Sequence, residues 1–147
     1  MCYVIYLSTT SGEDFTQLPT DLYRFEHADG ANDAEPVKLL HYANKWVLIC
    51  RHGGCSCHYR HSVASDRNAP EFGPPEDWCP EDADDIESTS AVYDCFARIL
   101  AEGHRLDVLD NWNGENLDSI KSPPVSLAAV PRESFKFFEN YRFDLYE

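Results

Sequence analysis

Between Cys50 and His61 the chain places three cysteines and three histidines within twelve residues, half of all the cysteines and histidines in a sequence of 147. Thiolate and imidazole are the side chains that ligate borderline-soft transition metals. A thiol beside an imidazole is also the usual pairing in cysteine nucleophiles. Three readings of the segment follow. In the first, free cysteines act as small hydrophobes and fill a core. In the second, Cys50, His52, Cys55 and Cys57 form a four-ligand set for zinc, with His61 or the distant Cys79 as substitute ligands. In the third, Cys55 or Cys57 is a reactive thiol, with His58 as a neighbouring base and Arg51, Arg60, His52 and His58 lowering its pKa.

All three depend on how the segment folds. Trp46-Val47-Leu48-Ile49-Cys50 is the strongest strand signal in the chain, and Gly53-Gly54 follows it. Both glycines can take positive φ, so the spacing predicts a hairpin over 46–61. In that register His52 faces Cys55, Cys50 faces Cys57, and Arg51 faces Ser56. Side chains alternate between faces with period two. One face then carries Trp46, Leu48, Cys50, His52, Cys55, Cys57, Tyr59 and His61. The opposite face carries Val47, Ile49, Arg51, Ser56, His58 and Arg60. Cross-strand Cβ atoms about 5 Å apart would let the thiolates converge. A slip of one residue would scatter them.

Arg51, His58 and Arg60, followed by Arg67, form a basic island in a protein of net charge −14. Guanidinium groups there could bind a small anionic ligand. The competing reading is that they neutralise the chain's own run from Glu71 to Glu87, which holds eight acids and no bases. That run, with prolines at 70, 74, 75 and 80, reads as a solvated, irregular connection, and a basic protein is the partner it would attract. Asp110, Asn111 and Asn113, with Glu115 and Asp118 beyond, resemble a calcium loop only loosely, because the EF-hand spacing is missing. A tight turn anchored by Trp112 accounts for them better. His27, His41 and His104 are isolated, and Glu133 after Pro131 fits helix initiation.

The elements that must position these groups are mixed. Residues 2–9, 22–26 and 106–109 read as strands, and short strands are also expected at 127–130 and 143–146. The periodicity predicts a helix over about 86–102, capped by Asp84 or Asp85 and ended by Gly103. A short C-terminal helix is expected from Pro131 through Phe138. Phe135, Phe137, Phe138, Tyr141, Phe143 and Tyr146 are expected to form a core seam. With no long βαβ repeats, the class is α+β: a mainly antiparallel sheet with one major helix, in a single domain spanning 1–147.

Twenty-six acids against twelve bases repel phosphate backbones and anionic bilayers, so neither nucleic acid nor membrane is an expected partner. The apolar start, Cys2 to Leu7, lacks a basic segment before it and reads as a strand, and the expected location is the cytosol. Six cysteines there would be reduced thiols. No nucleotide-loop, nucleophile-elbow or HExxH motif occurs. The sequence thus leaves a small acidic binding or interaction domain, a zinc protein and a thiol-dependent enzyme or redox protein as alternatives, all centred on Cys50–His61.

Overall fold

A computed structural model of the chain describes residues 2–28, 35–62, 70–112 and 117–147. The described elements are β1 (Tyr3–Thr9), β2 (Tyr23–His27), β3 (Asn44–Cys50), β4 (His61–Ser62), α1 (Ala83–Ala101), β5 (Leu106–Trp112), β6 (Pro124–Ser126), β7 (Phe137–Phe138) and β8 (Tyr141–Tyr146). Six of them form one sheet in the order β2-β3-β1-β5-β8-β6. Neighbours are antiparallel except β6 and β8, and β4 and β7 form a separate parallel pair. The fold is α+β with one major helix among the described residues, as the sequence predicts.

Period-two alternation divides β1 between two apolar clusters. Ile5 and Leu7 pack with Phe25, Trp46, Leu48, Val108, Phe143 and the helix residues Val92, Phe96 and Ile99. Tyr6 points the other way, into a smaller cluster with Ala28, Val37, Leu40 and Leu109. The helix starts three residues before the expected position. Asp82 accepts the Asp84 N–H at 2.8 Å and so caps a turn that contains Asp84 and Asp85. Gly103 ends it at φ 87°, a conformation that costs glycine no steric strain.

Several expectations give way to tertiary constraints. The hairpin over 46–61 does not form. β1 and β2 flank β3 on its two edges, so no edge is free for a returning strand. Neither Gly53 nor Gly54 takes positive φ, and the loop instead closes through Cys50 N–H to Cys55 O at 2.9 Å. Asp110 to Trp112 is strand rather than turn, because β1 runs alongside it as far as the Tyr3–Trp112 pair. The remainder of that expected turn, including Asn113 and Glu115, lies outside the described residues, as do Arg67 and most of the polar loop at 27–36. The expected strand at 127–130 is a 3-10 turn over Leu127–Ala129, preceded by β6.

The expected C-terminal helix shrinks to a 3-10 turn at Arg132–Ser134. Beyond it the chain extends, which buries Phe135, Phe137 and Phe138 to within 6 % exposure and lets β7 join β4. Tyr141 and Phe143 complete the expected seam, while Tyr146 stays exposed.

Asp107 sits in the middle of the sheet with no exposed surface. It accepts hydrogen bonds from the Ser8 hydroxyl, from the His41 backbone at 2.9 Å and from the Arg142 guanidinium at 2.8 Å. A buried carboxylate is tolerable only with such partners. Removing one member leaves the other charge buried and unpaired. Asp107→Ala should therefore lower the unfolding free energy by about 3–5 kcal/mol, measured by urea denaturation, whereas an ordinary surface Asp→Ala should leave the midpoint almost unmoved.

A thiol cluster held by Ser56

After Cys50 the chain loops through residues 51–54 and returns beside the beginning of β1. Ser56 is the point of attachment, and it is fully buried. Its N–H donates to Tyr3 O at 3.1 Å, and its hydroxyl accepts the Ile5 N–H at 2.9 Å while donating to Leu48 O. Ile5 and Leu48 are the last paired residues of the β1–β3 ladder. The serine hydroxyl thus stands between the two strands where their own pairing stops. The expected position of Ser56, opposite Arg51 in a hairpin, is replaced by this buried one between β1 and β3.

Cys55 and Cys57 come together here in a bend and not in the expected hairpin strand, and their third partner is Cys2. The sulfurs of Cys2, Cys55 and Cys57 lie within 4.8 Å of one another, all three side chains half-buried. Cys50 is buried and favours the Cys55 thiolate, but it lies outside the three-sulfur group. His52 is exposed and lies outside this group, as does the exposed Cys79. Cys95 belongs to the helix and bonds Tyr23. Cys2 had no local signal: it is far from residues 55–57 along the chain, and only strand pairing brings it near.

The cluster is electrostatically uneven. Burial works against ionising Cys55, but the Cys57 backbone and the thiols of Cys57, Cys2 and Cys50 all favour its thiolate, and its pKa falls below the ordinary thiol value. Cys57 shows the reverse: burial and its donation to Cys55 push it up to about 12. The Tyr3 backbone offsets part of this. Cys55 is the thiol prepared to become a thiolate, the form that ligates metals and attacks electrophiles.

The cations of the expected basic island are directed elsewhere. Arg60, 3 % exposed, gives its guanidinium to both Glu81 oxygens at 2.8 and 2.9 Å and to the carbonyls of Gly73, Glu133 and Phe135. His58 faces Asp85 at 3.6 Å. Both acids belong to the 71–87 run, so these two cations neutralise the chain's own segment. Arg51 is half-buried with its Nε lacking a hydrogen-bond partner.

His61 lies next to the cluster without touching a sulfur. Its Nδ1 is 2.6 Å from Asp110 Oδ2, its Nε2 is 2.7 Å from Ser56 O, and its ring stacks on Tyr3 at 4.0 Å. Burial pushes the Asp110 carboxyl up, and His61 opposes that shift. The Tyr3 hydroxyl, partly buried and beside Glu139, is pushed up to about 12.

The unequal thiols have a direct consequence in the metal-free chain. Among the clustered cysteines, limiting iodoacetamide at neutral pH should alkylate Cys55 before Cys57, as read by peptide mass spectrometry; modification of Cys57 first would contradict the hydrogen-bond directions given above. Compared with known proteins, the chain matches no family model, no curated protein and no solved structure.

Proposed function

We propose that this protein binds one zinc ion through Cys2, Cys55 and Cys57, and that the ion fastens the start of β1 to the loop that follows β3. The observation that carries the reading is the convergence of three half-buried sulfurs within 4.8 Å. With Zn–S bonds of about 2.3 Å, tetrahedral geometry separates sulfurs by about 3.8 Å, so no pair need contract by more than about 1 Å. Zinc bound by thiolates ties chain segments together, and three of the four tetrahedral positions are supplied by these sulfurs.

The thiol-enzyme alternative has less support. A nucleophilic cysteine needs a base or a cation beside it. His58 and Arg60 are committed to Asp85 and Glu81, and His61 is held by Asp110 and Ser56.

Protein purified without a histidine tag should contain about one zinc per chain by elemental analysis, because folding and metal binding are coupled in such sites. Cys57→Ser and Cys2→Ser should lose the metal and unfold at lower temperature, whereas His52→Ala should retain it. Wild-type protein that takes up no zinc, even when refolded with the ion present, would end this reading.

A second reading concerns the acidic segment. Trp78 is 81 % exposed, an unusual position for a tryptophan, and it stands between Asp77 and Cys79 with Glu76 close by. A large aromatic face among carboxylates suits lysine and arginine side chains. We therefore propose that the surface around Trp78 recognises a basic protein segment. An arginine-rich peptide should bind, should lose affinity steeply as salt rises, and should bind Trp78→Ala more weakly. Salt-independent binding, or an unaffected variant, would count against it.

A further inference from the structure

His61 touches both chain segments that carry the thiols. Through Nε2 it holds the carbonyl of Ser56, the residue between Cys55 and Cys57. Through its ring it lies at an interplanar angle of 9° on Tyr3. Tyr3 follows Cys2 directly, and its carbonyl accepts the Ser56 N–H at 3.1 Å. A single imidazole therefore braces the two arms of the cluster against each other.

The imidazole itself is fixed from behind. The Ser56 carbonyl can only accept, so Nε2 must carry a proton. Nδ1 then shares one proton with Asp110 Oδ2 at 2.6 Å. Asp110 is 2 % exposed and sits on β5 opposite Ile5 of β1, in the rigid middle of the sheet. Rotating the imidazole would leave a carboxyl group and a carbonyl without these hydrogen-bond partners, which opposes the rotation. Carboxylate, imidazole and carbonyl form one chain from the sheet to the Cys-Ser-Cys turn.

We infer that His61, oriented by Asp110, is a positioning residue for the thiolate site: it sets the Ser56 carbonyl, and so the separation and direction of the Cys55 and Cys57 sulfurs, without ligating the ion. This rests on the zinc reading above. Outer groups of this kind typically alter metal affinity about 10- to 100-fold.

Cobalt(II), a spectroscopically visible substitute for zinc, separates the two claims. If the wild-type protein develops no thiolate-to-cobalt charge-transfer absorption, the metal reading falls and this inference falls with it. Given that absorption, His61→Phe, which keeps an aromatic ring against Tyr3 but neither hydrogen bond, should weaken cobalt binding about 10- to 100-fold and shift the band. Asp110→Asn can still donate to Nδ1 and should restore most of the affinity relative to Asp110→Ala. A His61→Phe protein with wild-type affinity and an unshifted band would overturn the positioning role while leaving the metal site standing. Wild-type protein offers a test that no folding defect can obscure. Bound metal, by holding the segment that carries the Ser56 carbonyl, should slow exchange of the His61 Nε2 proton, because local opening that frees that proton is then less frequent. Exchange unchanged by metal, followed by NMR, would overturn the inference as well.

Discussion

A central strand with both edges occupied cannot also be one arm of a hairpin, and much of this structure follows from that exclusion. β3 lies between β2 and β1, so the chain leaving Cys50 has no ladder to join on either side. It can return only where the β1–β3 pairing ends. Ser56 makes that return stable by placing a hydroxyl between Ile5 N–H and Leu48 O, two backbone groups that would otherwise be buried without partners. The turn containing Cys55 and Cys57 is consequently anchored to β1, and Cys2 becomes its neighbour.

The polar interior is organised on the same principle. In a protein of net charge −14, the two carboxyl groups buried among the described residues each meet a dedicated basic side chain. Asp107 meets Arg142, and Asp110 meets His61, on opposite faces of the same strand. Glu81, more exposed, is gripped by the buried Arg60. Pairs of this kind contribute less to net stability than their contact distances suggest, because desolvation opposes the attraction. Their effect is instead to penalise other arrangements, since each partner alone would be a buried, uncompensated charge.

The sequence showed the fold class through local features. The run Trp46–Cys50 announced a strand by its β-branched and apolar content. Aspartates before an apolar stripe, with Gly103 after it, announced the helix. What escaped was everything decided by partners distant in sequence. Gly53-Gly54 is a real turn signal locally, but it could not reveal that both edges of β3 were taken. Pro131 and Glu133 do initiate a turn, which the burial of three nearby phenylalanines then prevents from continuing as helix. Cys2 and Asp110 joined the site through the pairing of β1 with its neighbours, and no spacing along the chain encodes that adjacency.

The order of strands across the sheet also bears on how the protein emerges during synthesis. β1 is flanked by β3 on one edge and by β5, residues 106–112, on the other. As a nascent chain leaves the ribosome, the first of these partners becomes available after residue 50 and the second only after residue 112. At about 5–20 residues per second the interval lasts several seconds. Throughout it β1 keeps one unpaired backbone edge, and the carboxylate that steadies His61 has not yet been made.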